Sequence, residues 1–570
     1  MPCAGDLDCD LAASGLCVAS SSGRAWCAYP DGACTSGYRY SDLDVGDGLA
    51  AACTEAFALR VALGGGGTGE IATAQGPLAC AGGVCERSFP PGARVSLTAT
   101  ASEGIFLGWS DGCSGQGTCD VVMDRDRSVG ALFGMPGQSL WVRQVGGTGN
   151  DQGAKLAVDG AGDVLATGIF SGTITVGGTT ITAAGGTDVY VAKLAPADGR
   201  VLWLARLGGP GNDSAAAIAV DAAGDVYVAG QFEGTADFNG SPLTSAGSAD
   251  AFVVRLAGAT GAHAWSRRMG GAAFDGAQGL AVRGGTVAVA GVYAGSMTVN
   301  GTPLASAGQI DTFVVTLTTD GAPGWARSFG GTGADAPRGV AIDGNGDVVL
   351  AGRFTSPMLV FTSALFNAGL SDGFLAKLAG ATGAPLFARS FASPADDEAL
   401  SVSVDGAGNI YVAGAFAGPI DVGGPAPLAA TNGSDVFVAK YSLAGAHLWA
   451  RAFGGTGSES AAATAVNAAG DVVVAGKFCG TLSFGGAPLT SATPCSFTDA
   501  FAVRLAAADG AHLRSLRAGG MGSETGDGVA LDADGRIYLT GFFDGFAEFG
   551  GTPLTPAGIT DAYIACFAPL

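Results

Sequence analysis

The sequence predicts an all-β fold. Residues 136–570 are expected to form a seven-bladed β-propeller closed by strands from its N- and C-terminal ends. Three observations carry this. Trp141, Trp203, Trp265, Trp325, Phe387, Trp449 and Arg514 mark one position at spacings of 62, 62, 60, 62, 62 and 65 residues. An Asp precedes an apolar run once per period, at Asp188, Asp250, Asp311, Asp372, Asp435, Asp499 and Asp561. The array opens with a lone Trp-bearing strand, 139–145, and stops after a third strand, 561–567, so each end supplies what the other lacks. A fixed period of this size means one supersecondary unit stacked repeatedly. Joining the two ends leaves no open edge, whereas an open solenoid would expose both end faces.

Each element of a copy can be justified on the second one. Residues 217–221 alternate as a strand, and Ala222-Ala223-Gly224 turns the chain where Gly takes positive φ without strain. Residues 225–230 form a second strand. Residues 235–240 open a small hairpin through Asn239-Gly240. Residues 250–256 make the third strand and 264–269 the fourth. Four short strands make a propeller blade. The inserted hairpin accounts for most of the length beyond common propeller repeats.

Composition fits short strands and tight turns. The chain holds 98 Gly among 570 residues, and Gly is a poor helix former. A net charge of −22 opposes binding to nucleic-acid backbones and anionic membranes. No apolar run is long enough to cross a bilayer as a helix. Thirteen cysteines point to an oxidising compartment. Met1-Pro2-Cys3 leads straight into cysteine-rich sequence without a signal peptide. The expectation is a secreted or cell-surface protein whose targeting segment is missing from this chain.

Two segments precede the array. Residues 1–55 hold Cys3, Cys9, Cys17, Cys27, Cys34 and Cys53 and read as a disulfide-stapled module of open connectivity. The segment has no Cys-x-x-Cys pair and no His, which disfavours zinc. Residues 56–135 alternate apolar and polar residues, as in 58–63 and 94–99, and read as half-buried strands. Cys80 and Cys85 bracket one turn, and Cys113 and Cys119 another, so two short-loop disulfides are expected. Cys479 and Cys495 flank a hairpin of the array and are expected to join across it. Cys566 is the odd cysteine, either buried or available to another chain.

Two resemblances add to this reading. The run Phe106-Leu107-Gly108-Trp109-Ser110-Asp111-Gly112-Cys113, with Val121-Val122-Met123 and 129–133, resembles the small β-grasp-like repeat of bacterial internalin-type surface proteins. That likeness implies a stalk or adhesion element over 56–135. The array resembles the secreted bacterial β-propeller repeat. It does so through Ala157-Val158-Asp159 with Gly162-Asp163-Val164, and Ala341-Ile342-Asp343 with Gly346-Asp347-Val348. That family implies a secreted or surface propeller and little about chemistry.

A residue present in every copy is expected to serve the blade. The aspartates that begin with Asp188 therefore read as turn caps. A second set, Asp151, Asp213, Asp275, Asp335, Asp397, Glu459 and Glu524, follows the Gly-rich turns between copies. It is expected to stand as a ring near one channel mouth, where calcium would be the matching cation. Turn capping is the competing and favoured role. Gly-Gly-x-Gly-x-Asp is spelled like the calcium-binding nonapeptide roll, but these copies are not tandem. Asp343-Gly344-Asn345-Gly346-Asp347 begins like an EF-hand loop, yet Phe354 stands at its twelfth position.

Catalytic constellations are scarce. His263, His447 and His512 occupy one position in three different copies, so they should not share a metal. No Gly-x-Ser-x-Gly elbow is placed for an α/β-hydrolase. The Trp-bearing turn resembles the tryptophan docking motif of quinoprotein propellers, without their usual adjacent Cys pair. The departures from the repeat are Arg283-Gly284-Gly285, Pro394 with Asp396, and an apolar hairpin around 358–366 that could be a contact patch.

The leading expectation is a non-enzymatic extracellular or cell-surface binding scaffold. Its loop face would meet a glycan, an envelope polymer or a protein. The alternatives are a polymer-acting hydrolase or lyase and a structural surface-layer component.

Overall fold

The structure, a computed structural model, describes residues 16–19, 25–31, 34, 38–40, 56–361 and 363–570. Every regular element among them is a strand. The chain divides into two compact units, 1–138 and 139–570.

In the first unit, Leu16–Ala19, Ala25–Pro30 and Tyr38–Tyr40 form a three-stranded sheet. Cys27 and Cys34 are buried and disulfide-bonded. Cys17 stands opposite Cys27 in that sheet, and Cys3, Cys9 and Cys53 of the expected N-terminal module lie outside the described residues. Residues 57–134 form one sheet of five strands and one of four. In the five-stranded sheet the first long strand, Phe57–Gly64, runs parallel to the last, Arg127–Gly134. Period-two alternation buries Leu59, Val61, Val95 and Leu97 in a core with Trp109 and Phe133. Cys80 faces Cys85 across a hairpin and is bonded to it, and Cys113 is bonded to Cys119.

The second unit is built from four-stranded antiparallel series. In the second copy, Ser214–Val220, Val226–Phe232, Asp250–Leu256 and His263–Met269 pair in chain order. The first strand starts three residues before the sequence pattern suggests, because Ser214 already pairs with Gln231. Six such series run from 152 to 520. A seventh takes Gly528–Leu531, Ile537–Phe543 and Asp561–Phe567, and its fourth strand is Ser139–Gly147 from the start of the array. Trp141 faces Cys566 and Val145 faces Ala562 in that pair.

The innermost strands pack in a cycle. Gln152–Val158 touches Ser214–Val220, and the succession continues through Asp275–Arg283, Asp335–Ile342, Asp397–Val404, Glu459–Val466 and Gly528–Leu531 back to Gln152–Val158. This architecture is a β-propeller. Each second and third strand is buried on both faces, which explains their unbroken apolar runs, as in Asp435–Tyr441.

Neighbouring repeats are locked in three ways. The hairpin of each repeat pairs with the end of the preceding repeat's fourth strand, as Gly330 with Leu359 and Gly454 with Ser483. The tryptophans reach the next repeat: Trp203 Nε1 donates to Gly258 O at 3.0 Å, and Trp325 Nε1 to Gly380 O at 2.7 Å. Third, a cation on the third strand bridges to the Asp turn. Lys377 Nζ lies 2.6 Å from Asp343 Oδ2 and also donates to Leu443 O of the following repeat. That contact gives Asp343 a structural partner. The third repeat lacks both halves of this bridge, with Arg283-Gly284-Gly285 in place of the Asp turn and Thr316 in place of the cation. In the last repeat Cys566 replaces the cation, and Arg536 approaches Asp532 instead.

Candidate functional site

The seven acids after the Gly-rich turns stand at or just before the innermost strands, and all are buried. Five of them, Asp151, Asp213, Asp275, Asp335 and Glu524, accept a backbone N–H of their own turn. Asp213 accepts from Gly209 N at 2.6 Å and from Glu233 N at 3.2 Å, Asp335 from Gly331 N at 2.6 Å, and Glu524 from Gly520 N at 2.8 Å. The Asp188 set caps its own turns in the same way, as Asp188 accepts Ala184 N at 2.9 Å.

Packing brings the two sets together. Each acid of one set sits against one of the other across a repeat junction: Asp151 with Asp561, Asp213 with Asp188, Asp275 with Asp250, Asp335 with Asp311, Asp397 with Asp372, Glu459 with Asp435, and Glu524 with Asp499. Burial, reinforced by the neighbouring carboxylate, pushes Asp151, Asp213, Asp335 and Asp397 up to about 6, and Glu459 and Glu524 up to about 8. Arginines meet three of the seven Asp188-type acids: Arg206 at Asp188, Arg268 at Asp250 and Arg517 at Asp499.

This pairing also accounts for the glycine before six of the seven turns, the exception being Ala392 before Asp397. A Cβ on Gly208 would lie 2.6 Å from Asp213 Oδ2 and 3.0 Å from Asp188 Oδ1. In the fifth repeat junction the next position is Ser393 rather than Gly, and Gly418 of the facing hairpin makes the room instead. Among the described residues, no three His, Cys, Asp or Glu side chains come together as a metal-holding group.

The histidines are spread over three repeats. His263 and His512 each lie 3.2 Å from a serine hydroxyl on the same strand, and His447 packs edge-on against Tyr441. Cys566 is fully buried, and burial pushes its thiol up to about 12, so it is not presented to another chain. Cys479 is bonded to Cys495 across its hairpin. The apolar hairpin of the fourth repeat is divided. Met358, Val360 and Leu365 enter the core, while Leu359 and Phe366 are 55% and 73% exposed.

Sequence reasoning missed the centre of the ring. One cavity of about 170 Å³ is lined by residues from all seven innermost strands. The first six of these strands each carry a β-bulge at the same position, as between Gly153 and Lys155 and between Pro337 and Gly339. Bulges re-aim side chains. The only charged residues lining the cavity are Lys155 and Arg338. Arg338 is a departure from the repeat that could have been seen in the sequence, since the equivalent position is Ala in three copies.

No protein-family model matches the chain, and no curated protein matches it. Solved structures of β-propeller proteins are similar to it. Sqt1 from Chaetomium thermophilum shares 10% identity at a TM-score of 0.37, covering 76% of this chain and 99% of that one. BamB from Moraxella catarrhalis shares 12% identity at a TM-score of 0.31, covering 68% and 93%. Quinohemoprotein alcohol dehydrogenase from Comamonas testosteroni shares 11% identity at a TM-score of 0.32, covering 69% and 65%. An alcohol dehydrogenase thus stands among these neighbours beside BamB and Sqt1, and likeness this low assigns no activity.

Proposed function

We propose that residues 139–570 close as a seven-bladed propeller of the secreted bacterial repeat type. The chain then serves as a non-enzymatic extracellular or cell-surface binding scaffold, with the preceding cysteine-rich and β-grasp-like segments as a spacer. The observation that carries the binding role is the exposed apolar face of the fourth-repeat hairpin. Leu359 and Phe366 are both exposed there, while Met358, Val360 and Leu365 turn inward. The repeated polar residues are occupied in holding turns and junctions, so recognition falls to positions that differ between repeats. The partner is an extracellular glycan, an envelope polymer or a protein.

The full chain is expected to bind saturably on an array of glycans, envelope polymers and surface proteins. Leu359→Ser with Phe366→Ser should abolish that binding without lowering Tm. A blank array combined with turnover of a polymer would replace this reading with the hydrolase or lyase alternative.

The acids, on this reading, hold turns without calcium. Millimolar calcium should leave Tm unchanged. A calcium-dependent rise in Tm that Asp213→Asn with Asp335→Asn removes would make the ring a cation site.

A further inference from the structure

On the innermost strands the position after the bulge, which reads Lys155, Ala217, Gly279, Gly339, Ser401 and Ala463, lines the cavity and differs between repeats, and so does the bulge position itself. In chain order the bulge position is Ala154, Ala216, Gln278, Arg338, Leu400 and Ala462, and the same spacing reaches Asp527 in the last repeat. A position that only maintained the blade would repeat its residue, as the turn acids do. Two cations stand at this level. Lys155 Nζ donates to Asp527 O at 2.6 Å and Ala462 O at 3.2 Å, which uses two of its three protons on neutral carbonyls. Arg338 Nη2 is 4.0 Å from Glu398 Oε2, but Arg353 already holds the other oxygen of that carboxylate. One carboxylate thus serves two guanidinium groups. The Arg338 Nε is buried without a hydrogen-bond partner, while 31% of the side chain remains exposed to the channel.

Burial lowers the pKa of Lys155, and so does the positive charge of Arg338 nearby. No carboxylate lines the cavity between them. Asp527 is turned to the Thr525 hydroxyl, and burial raises its pKa, so it only partly offsets Lys155. Gln278, Ser401 and Thr464 supply further polar lining. Two like charges held in a shared cavity are mutually destabilising unless an anion lies between them. The cavity volume equals about five or six liquid waters, which suits a single carboxylate or phosphate group. Guanidinium favours such oxyanions through paired N–H donors.

We infer that the channel of this propeller is an oxyanion-binding site, in which Lys155 and Arg338 hold one carboxylate or phosphate group of a ligand. In a chain of net charge −22, this is a local reversal of sign. The site is separate from the hairpin face and stands or falls independently of it. The ligand group can arrive as a free anion or as an acidic substituent on a larger molecule that reaches into the channel.

The test is calorimetric titration of the full chain with inorganic phosphate and with succinate at constant ionic strength. A sulfate-free uronate oligosaccharide forms a third arm, to separate free from tethered anions. Saturable binding in any arm is expected, weakened at least tenfold in Arg338→Gln and in Lys155→Met. The Tm of each variant shows that it remains folded. Arg338→Gln is also expected to raise Tm in anion-free buffer, because it removes one of two repelling charges. A purely structural Arg338 would lower it. Absence of saturable binding in all three arms, or equal binding by wild type and both variants, would overturn the inference.

Discussion

Deleting residues 139–147 should lower the Tm of the propeller by about 10 °C or more, whereas deleting residues 1–55 should leave it unchanged. The strand Ser139–Gly147 carries Trp141, Val142 and Val145, all buried, and burial of each such side chain contributes roughly 1.5–3 kcal/mol. It also satisfies the backbone of Asp561–Phe567 along its length and receives the hairpin of the first repeat, where Val145 faces Val176. Without it, the seventh series has three strands and an open edge. Trp141 further donates to Pro196 O at 2.9 Å, and Arg143 Nε to Gly199 O at 3.0 Å, so the deletion also frees the first repeat from the last. The N-terminal segment 1–55 belongs to the other compact unit. Differential scanning calorimetry of the two truncations checks this. Equal melting temperatures would remove the closure.

The propeller should be most stable near pH 4, with Tm falling by about 5 °C or more toward pH 8. The sign follows from the buried carboxyl pairs. Asp151, Asp213, Asp335 and Asp397 are raised to about 6, and Glu459 and Glu524 to about 8. A carboxyl raised on folding binds its proton more tightly in the native state. Its stabilising contribution is complete below its unfolded value and is lost as pH rises through the folded value. The two glutamates therefore weaken the fold on approach to pH 8, and the four aspartates do so around pH 6. Asp225, Asp343 and Asp471 act in the opposite direction. Despite the cost of burial, their Arg or Lys partners and backbone N–H groups lower their pKa, so their contribution is lost on the acid side below about 4. The two groups of acids bracket an optimum between them. Glu459→Gln is the sharpest check, because Glu459 is buried beside Asp435 and is pushed up to about 8. That variant should raise Tm at pH 8 and flatten the alkaline limb. A Tm that is constant from pH 5 to 8 in the wild type would contradict the paired-carboxyl account.

Much of the architecture is legible in the chain because it is local. The Trp and Asp markers report strand positions, and each Asp188-type acid bonds a backbone N–H a few residues away. The cysteine pairs within one hairpin needed only short separations, and Cys80–Cys85 and Cys479–Cys495 are in place. The split of the fourth-repeat hairpin into a buried and an exposed face is period-two alternation. The sequence shows that pattern but does not say which face meets the core.

By itself, then, the sequence determined the all-β class, the period, the four strands of each copy and the local turn caps. Each of these depends on interactions within a few residues or across one hairpin. Tertiary structure alone decided the rest. It set the junctions at which Asp188 meets Asp213, and the docking of each hairpin on the preceding repeat. It also placed Lys155 beside Arg338, nearly three repeats away in the chain. The physical reason is the ring: rotation from one repeat to the next converts a linear spacing into a facing position. Residues that are equivalent in the repeat then become neighbours around one cavity, and their differences, rather than their likeness, set its charge.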